Sequence, residues 1–288
     1  MKIIETHIVP AIDEKIRLQE YAVSIFKTIP TRSGVKKAIK RGEILLNGKP
    51  AKTANWIAEG QKIELLQPIE GKRKAYRLKL EVLFEDDDLA VVKKPSGIPT
   101  SGNYFKTVEN ALSFNLKKSA KISALAFPLP VHRLDNPTSG LLICAKTRPS
   151  LVALQKKFKE RKVQKTYIAL CSGNVPEKAI FDDDIDEKKA LTHIERIKSF
   201  HANNQEFSLI KVFPHTGRTH QIRIHLSGKG FSILGDTKYG GIEIQQKKGI
   251  FLAAVGLIFH HPFTNEFLNF EIPVPQKFLK AEKYLRRP

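Results

Sequence analysis

Apolar and polar residues follow two different patterns along the chain, and the change falls near residue 80. Two amphipathic helices and two short strands are predicted before it, at residues 13–26, between Thr31 or Ser33 and Gly42, at 43–46 and at 61–66. Asn47-Gly48 predicts a tight hairpin, because both residues tolerate the positive φ of a type I′ turn. We therefore expect a small N-terminal α/β domain at residues 1–70 and a basic, polar linker at 71–80.

Short apolar runs of strand length predominate from residue 81 to the end of the chain. Strands or extended segments are predicted at residues 82–84, 89–92, 127–130, 141–145, 161–170, 251–259 and 267–272. Helices are predicted at residues 108–118, at 149–162 and after Gly217, the last ending near Gly228 or Gly230. This second part therefore reads as one β-rich domain over residues 81–288.

The net positive charge of the chain indicates that its binding partner is negatively charged. Its 49 Lys and Arg residues against 29 Asp and Glu give a net charge of +20, which is typical of proteins that bind nucleic acid or membrane surfaces. The longest apolar run, Ile250–Phe259, is too short to span a bilayer, and Glu5 interrupts the N-terminal apolar stretch. Cys144 and Cys171 lie in apolar segments and are expected to be buried packing residues. We expect a cytoplasmic protein that does not contact membranes.

Part of the positive charge is concentrated along the predicted second helix. The residues are Arg32, Lys36, Lys37, Lys40 and Arg41. Such a cluster can be an ordinary solvated helix face or an RNA-binding surface. The order of this helix and the strand and Asn47-Gly48 turn that follow it resembles the S-four-like RNA-binding domain of a small-subunit ribosomal protein. That resemblance implies that the basic helix faces RNA.

The densest polar motif is His132-Arg133-Leu134-Asp135, followed by Asn136-Pro137 and Ser139-Gly140. Asn-Pro and Ser-Gly pairs are strong turn signals, so the motif is predicted to lie at a turn just before a buried strand. If the motif is extended, Arg133 and Asp135 share one face. Their opposite charges are then either a functional site or a salt bridge.

Three arrangements in the sequence could suggest a metal site, and each is rejected on spacing. The acidic runs at residues 85–88 and 182–187 lack a second ligand cluster or the spacing of an EF-hand loop, and solvated turns are expected instead. His215, His220 and His225 recur at intervals of five, which does not place ligands on one helical face. We expect no metal.

Asp135, Lys165 with Tyr167, and Arg223 are polar residues within otherwise apolar or glycine-rich segments. Taken singly, they could be a turn former, core residues and a solvated arginine. Together they suit covalent chemistry on a nucleotide. A neighbouring guanidinium keeps an attacking carboxylate ionised, and a tyrosine can stack on a base and exchange a proton. The target base would have to be unpaired or flipped out.

Five segments in order resemble the motifs of the RluA-type pseudouridine synthases. They are EDDDLAVVKKPSGI, HRLDNPTSGLLICAKT, RKVQKTYIAL, HTGRTHQIRIHL and GDTKYGG, within residues 81 to 275. The resemblance implies an α+β fold, with a mixed, mostly antiparallel β-sheet catalytic domain and flanking helices behind the small N-terminal domain. It also implies an isomerase that needs no metal or organic cofactor.

The resemblance assigns a role to each site residue. Asp135 would be the nucleophile that lets uracil detach, rotate and rejoin the ribose through carbon. Tyr167 would stack on the base and serve as a general base in the later proton loss, and Arg223 would pair with Asp135. Arg133 would enter the RNA beside the flipped nucleotide, and Lys165 would support the pocket. His132 and Leu134, on either side of Arg133, are counted with the substrate-binding residues.

The sequence departs from the family pattern at three places. Ala253 stands where a histidine is usual, Lys93 replaces a common asparagine, and Asn136-Pro137 varies the residues after the aspartate. The expected partner is structured RNA, with ribosomal RNA of the large subunit favoured by the N-terminal domain and transfer RNA as the alternative. A monomer is expected. A non-catalytic RNA-binding or ribosome-assembly factor is the competing interpretation, although it would not need Asp135, Tyr167 and Arg223 together.

Overall fold

A computed structural model describes residues 2–26, 28–67, 74–243 and 249–285. Four strands and two helices form its N-terminal part: β1 (Ile3–Ile8), α1 (Leu18–Ile25), α2 (Arg32–Lys40), β2 (Ile44–Leu46), β3 (Lys49–Pro50) and β4 (Lys62–Leu66). The strands make one antiparallel sheet in the order β1-β4-β2-β3. A cluster of buried apolar side chains between Val9 and Leu65 packs the two helices on this sheet.

The local signals of the N-terminal part act as predicted, with two exceptions. The Thr31 side chain accepts a hydrogen bond from the Gly34 amide and so caps α2. Asn47 and Gly48 have φ of 50° and 76° and join β2 to β3. Helix α1 begins only at Leu18, five residues later than predicted, and strand β1 was not predicted. Of the predicted linker, residues 71–73 lie outside the described residues.

The rest of the chain forms a ten-stranded sheet. Its strands are β5 (Glu81–Glu85), β6 (Leu89–Lys94), β7 (Ala124–Pro130), β8 (Ser139–Thr147), β9 (Gln164–Ser172), β10 (Lys178–Phe181), β11 (Thr192–Ala202), β12 (Gln205–Pro214), β13 (Leu252–His260) and β14 (Phe267–Glu271). The order is β10-β11-β12-β9-β13-β8-β6-β5, with β14 on β13 and β7 on β8. Only the β8–β13 pair is parallel among these described strands. The predicted mixed, mostly antiparallel α+β fold is confirmed.

Helices flank this sheet. They are α3 (Val108–Asn115), α4 (Arg148–Lys159), α5 (Gln221–Gly228) and α6 (Gln276–Leu285), with a short 3₁₀ turn at Thr237–Tyr239. Strands β10 to β12 and helix α6 were not predicted. The long strand β11 carries exposed charged side chains and a register shift between Arg196 and Lys198, which together hide its alternation. Within the described residues, no helix is long and apolar enough to cross a membrane.

The centre of the sheet explains how distant polar motifs meet. Ala254 of β13 is paired with Gly140 of β8 on one side and with Tyr167 of β9 on the other. Gly140 has φ of 124°, and a Cβ there would lie 2.0 Å from the Ala254 carbonyl oxygen. Only glycine permits this approach. The Asp135 turn, five residues before Gly140, is therefore brought beside β9.

Candidate active site

A buried lysine fixes the turn that carries Asp135 through hydrogen bonds to backbone carbonyls. Lys94, at the end of β6, is fully buried and donates hydrogen bonds from Nζ to the carbonyls of Pro95, Asn136 and Thr138, at 3.0, 3.0 and 2.7 Å. Burial lowers the pKa of Lys94 to about 8, although the negative charge of Asp135 opposes the shift. The carbonyls compensate the buried ammonium, and in return the ammonium holds the turn in one conformation.

A second contact fixes the residue just before the aspartate. Thr100 Oγ1 donates to the Leu134 carbonyl at 2.9 Å and accepts from the Leu134 amide at 3.1 Å. The Thr138 amide donates to the Asp135 carbonyl at 3.0 Å and closes the Asn-Pro turn. Arg133 and Asp135 thus lie outside any strand, and the turn rather than strand alternation points both at the same cavity.

Arg223 reaches Asp135 from the first turn of α5. Its Nη1 lies 3.4 Å from Asp135 Oδ2, while Nε and Nη2 bind the two oxygens of Asp236 at 2.6 and 2.7 Å. Arg223 and Asp236 are 5 % and 1 % exposed. Burial alone would lower the pKa of Arg223, but Asp236 outweighs it and the pKa is raised. The guanidinium is therefore permanently charged and aimed by Asp236 at Asp135.

The start of α5 is itself held by side chains. Gln221 accepts hydrogen bonds from Thr216 Oγ1 and the Arg218 amide, and it donates to the Leu191 carbonyl. His220, in the left-handed region with φ of 56°, precedes the helix. The ring of His220 binds the Tyr239 hydroxyl through Nδ1 at 2.8 Å and places Nε2 3.8 Å from Asp135 Oδ1. Thr219, predicted on the helix beside Arg223, lies before the helix begins, so that part of the prediction is wrong.

Strand β9 contributes Lys165 and Tyr167 to the same cavity. Burial, and secondarily the charge of Asp135, raises the pKa of the Tyr167 phenol, so the hydroxyl stays protonated. Lys165 donates to the Thr216 carbonyl at 3.1 Å, and burial followed by the charge of Arg161 lowers its pKa to about 8. The lysine thus joins the floor of the cavity to the turn before α5.

The cavity holds about 500 Å³, which suits a single nucleotide base with its sugar. Asp135 is 17 % exposed and lies inside. The cationic side chains on the cavity wall are Arg133, Lys159, Arg161, Lys165 and Arg218. A positive cavity wall attracts a polyanion to a site whose centre carries a carboxylate.

His132 and Leu134 support the cavity instead of offering it free polar atoms. His132 Nε2 accepts a hydrogen bond from the Ile143 amide at 3.1 Å, and its ring stacks on Phe158 with centroids 4.5 Å apart. Burial lowers the pKa of His132 to about 3, so the ring is neutral. Leu134 is buried and packs into the core beside β6. Arg133 is exposed.

The predicted RNA-binding residues all lie on the exposed face of α2 and at its end. Two of them have acidic partners: Arg32 Nη2 lies 2.7 Å from Glu20, and Arg41 Nε lies 2.6 Å from Glu43. Glu43 is buried and also binds Arg148 Nη2, at the start of α4, at 2.6 Å. A buried ion pair therefore joins the end of the basic helix to the helix that borders the cavity.

The metal alternatives can be compared with the structure. His215, His220 and His225 bind different partners, namely His193, Tyr239 and Thr192. The acidic run at 85–88 does form the β5–β6 turn, but Asp88 is buried, so the prediction of a solvated tip is wrong for this residue.

His261, distant in sequence, joins Asp86 and Asp88. His261 Nδ1 accepts hydrogen bonds from the amides of Phe263 and Thr264, and Nε2 lies 3.0 Å from Asp86 Oδ2. Lys121 binds Asp88, and Lys146 binds Glu85. Two ammonium groups therefore already lie against this acidic run.

Sequence reasoning missed Asp236, Lys94 and His220 as parts of the site. Asp236 lies in the quoted GDTKYGG segment, but nothing in the spacing relates it to Arg223, thirteen residues earlier. In the sequence, Lys94 is simply one of two adjacent lysines. Only the structure shows that Lys94 is buried, whereas Lys93 is partly exposed and binds Glu81 at 2.8 Å. The sequence does not indicate the left-handed conformation of His220, because positive φ is uncommon in residues other than glycine, even though histidine adopts it more often than most.

Comparison with known proteins identifies the class to which this fold and site belong. The family model described as RNA pseudouridylate synthase matches residues 88–228. An uncharacterized RNA pseudouridine synthase from Aquifex aeolicus is 31% identical, with 94% of each chain covered. Ribosomal large subunit pseudouridine synthase D from Vibrio cholerae is 31% identical over 94% of this chain and 91% of its own. The chain therefore belongs to the RNA pseudouridylate synthase family, and the predicted RluA-type resemblance is confirmed. It is an RNA-modifying isomerase.

Solved structures agree on the fold. Human RNA pseudouridylate synthase domain containing 1 superposes with a TM-score of 0.57 at 21% identity, covering 74% of this chain and 98% of that one. Human RNA pseudouridylate synthase domain containing 4 gives 0.54 at 22% identity, over 72% and 93%. At this identity the likeness concerns the arrangement of strands and helices.

Proposed function

We propose that this synthase isomerises uridine in structured RNA through nucleophilic attack by Asp135. The observation that carries the proposal is the convergence of Asp135, Tyr167 and Arg223, from three separate elements, in one cavity with cationic walls. A carboxylate held by a guanidinium keeps its charge while the cavity excludes water. It can then form a covalent bond to the nucleotide.

The reaction balances without a cofactor. The bond between uracil N1 and the ribose breaks, and a bond between uracil C5 and the ribose forms. The proton on C5 is lost, and N1 gains one, so atoms and electrons are conserved. The carboxylate of Asp135 serves as the temporary partner while the base turns over. Contacts with the cavity walls keep the detached base in place while it turns over.

Tyr167 is proposed to hold the base by stacking. Its raised pKa keeps the phenol protonated at neutral pH. A protonated phenol is a poor resting base, so the proposed role in proton loss requires that the phenol passes its own proton on as it accepts the one from C5. Arg133, exposed at the cavity wall, is proposed to fill the space that the flipped nucleotide leaves in the RNA.

The N-terminal residues 1–70 are proposed to form a separate RNA-binding domain of S-four-like type, ahead of a catalytic domain at 81–288. Its own apolar core supports this division. The exposed lysines of α2 supply phosphate contacts, and the Glu43–Arg148 pair keeps them on the same body as the cavity. We infer that it acts on large-subunit ribosomal RNA, because relatives of similar length carry that substrate in their names. A monomer in the cytoplasm stays the prediction made from the sequence.

The test is to incubate the protein separately with large-subunit ribosomal RNA, small-subunit ribosomal RNA and transfer RNA, all lacking modifications, and to map pseudouridine. Asp135→Asn keeps the shape of the side chain and removes its charge. Asp182→Asn, on an exposed loop, is the matched control. We expect pseudouridine in large-subunit RNA with wild type and Asp182→Asn and none with Asp135→Asn. Equal modification by Asp135→Asn contradicts the nucleophile, and modification of transfer RNA alone contradicts the substrate.

RNA affinity should also fall steeply with salt, because bound phosphates release counterions. Removing one phosphate contact lowers the slope of log affinity against log salt by about 1. We expect Lys36→Gln to do this, since Lys36 is exposed on α2. Filter binding between about 50 and 200 mM salt measures the slope. An unchanged slope would argue against α2 as an RNA reader.

A further inference from the structure

An exposed aromatic loop lies directly beside the catalytic turn and takes no part in the chemistry described above. It spans residues 101–107, between β6 and α3. Tyr104 at its tip is 70 % exposed, and the neighbouring Phe105 is 46 % exposed. Lys106 on the loop and Lys74 beside it are also exposed. Large exposed aromatic rings lower solubility, so two in succession mark a surface that binds something.

The loop is rigid at its base. The amides of Val108 and Glu109 donate to the carbonyls of Pro99 and Thr100, both at 2.9 Å, and so close the loop. Asn110 Nδ2 donates to the carbonyls of Tyr104 and Phe105 at 3.1 and 2.8 Å. Tyr104 is thereby presented to solvent on a fixed backbone, at little further entropic cost on binding.

The segment just before the loop is joined to the catalytic turn by hydrogen bonds. Thr100 binds both backbone groups of Leu134, the residue before Asp135, and the Gly97 amide donates to the Asn136 carbonyl at 2.9 Å. Tyr104 is four positions after Thr100 in the chain. Chain reach therefore limits the distance between their Cα atoms to about 14 Å.

The chemistry around Tyr104 matches a nucleotide. Phe105 packs edge-on against Tyr76 with centroids 5.7 Å apart, and Lys74 Nζ lies 5.9 Å from the Phe105 centroid. Phe105 is thus anchored, whereas the Tyr104 ring is 70 % exposed. The Lys74 ammonium lies beside Phe105, and the exposed Lys106 follows two residues after Tyr104 in the chain. An aromatic platform flanked by cations is how proteins hold unpaired bases without reading their identity.

We propose that Tyr104 is a stacking platform for an unpaired nucleotide of the substrate RNA, a few positions along the strand from the uridine in the catalytic cavity. Lys74 and Lys106 bind the adjacent phosphates. This inference rests on the proposed action on RNA, and it deepens that proposal by assigning a second base-binding site outside the cavity. The site holds single-stranded RNA beside the target and so favours uridines in loops over those in continuous duplex.

The experiment uses the full-length protein and a fluorescein-labelled oligouridylate of about twelve nucleotides, with an RNA hairpin duplex as the second probe. Tyr104→Ala should weaken oligouridylate binding about tenfold, which is within the range found for a lost base–aromatic stack. Tyr104→Phe, which keeps the ring, should bind like wild type. The duplex affinity should change less than about twofold, because phosphate contacts dominate there.

Phe263→Ala is the matched control. Phe263 is 50 % exposed and has Lys121 Nζ 5.7 Å from its ring, but it lies beside Asp86, at the opposite end of β6 from the catalytic turn. We expect no change in oligouridylate binding. Thermal unfolding of each variant is measured alongside, and Tyr104→Ala should unfold like wild type because the ring is exposed.

Pseudouridine formation in ribosomal RNA, measured on the same preparations, separates this inference from the proposed function. We expect Tyr104→Ala to raise KM and leave kcat within about twofold, because it removes binding made equally in ground and transition states. An active wild type whose Tyr104→Ala variant binds oligouridylate normally overturns the stacking site, and would leave the loop as a protein-binding surface. An inactive wild type whose binding still depends on Tyr104 overturns the proposed function and leaves the stacking site standing.

Discussion

Two groups of carboxylates lie at opposite ends of strand β6: the open end, where Asp135 lines the cavity described above, and the closed end, which carries Asp86 and Asp88. Asp135 and Asp236 share Arg223 near Lys94, at one end. Asp86 and Asp88 lie with His261 and Lys121 at the other, about 20 Å away along the strand. Both groups combine two acids with positive partners, yet their chemistry differs.

The difference lies in how the partners are distributed. At the closed end, Asp86 Oδ1 accepts two backbone amides and Asp88 binds Lys121 and Thr147, so the carboxylate oxygens are occupied. At the open end, Arg223 gives two short hydrogen bonds to Asp236 and one long contact, 3.4 Å, to Asp135. Asp135 is thus left only partly paired, inside a cavity. If Asp135 attacks as proposed, it is available to do so because Asp236 holds its counter-ion Arg223.

The largest effect should come from removing that second acid. In Asp236→Asn the buried Arg223 loses its bidentate partner, and its guanidinium is drawn to Asp135. We expect kcat to fall about 100-fold, because a nucleophile misplaced by about 1 Å loses that much. Stability should fall by about 3 kcal/mol, because the buried guanidinium loses the charge of its main partner. Single-turnover kinetics on ribosomal RNA and urea unfolding measure the two.

The matched variant is Asp88→Asn at the closed end. It should lower stability by about 1 kcal/mol, less than Asp236→Asn, because its partner Lys121 is nearly half exposed and can turn to solvent. Its kcat should stay within about twofold of wild type. Equal loss of activity in both variants would show that the two ends act only through stability.

Whether the sequence predicts a given contact depends on how far apart in the chain its two residues lie. The Thr31 cap of α2 and the Asn47-Gly48 hairpin depend on neighbouring residues and were predicted. Asp135, Lys165, Tyr167 and Arg223 were singled out because each lies in a motif that resembles the family's, and all four line the cavity. Asp236 as the partner of Arg223, and His261 beside Asp86, depend on contacts between distant segments, which no local pattern encodes.

Gly140 shows the same limit. The sequence predicts only that Gly140 ends a turn. Glycine is required there because the backbone of Ala254, more than a hundred residues later, lies too close for a Cβ atom. The strands β10 to β12 were missed because tertiary packing, with a register shift in β11, overrides the local alternation.

A smaller effect concerns acid stability at the open end. His132 is held neutral, with its pKa lowered to about 3 from an ordinary 6.5, chiefly by burial and then by Lys165. The unfolded chain therefore binds a proton below about pH 6.5 that the folded chain does not, and stability falls as pH decreases toward 3. The slope from this group is at most about 1.4 kcal/mol per pH unit.

His132→Gln should flatten that part of the profile. Urea unfolding of wild type and variant at pH 4, 5, 6 and 8 measures it. Above about pH 7 the difference between the two proteins should be constant, because His132 is then neutral in both states. A difference that keeps its value down to pH 4 would mean that His132 is charged in the folded protein.

The smallest expected effect is a change in RNA affinity, and it tests whether the Asp135 carboxylate lies close to the bound RNA. Asp135→Asn removes a negative charge from a cavity with cationic walls, so RNA should bind about two- to threefold more tightly at about 0.15 M salt, where the Debye length is about 8 Å. At about 1 M salt the gain should vanish. Asp86→Asn removes the same charge at the far end of β6, well beyond a Debye length from the cavity, and should leave the affinity unchanged.

Filter binding with ribosomal RNA compares the three proteins. Equal gains in both variants would mean that RNA responds to net charge alone, and no gain in either would place the bound phosphates away from Asp135.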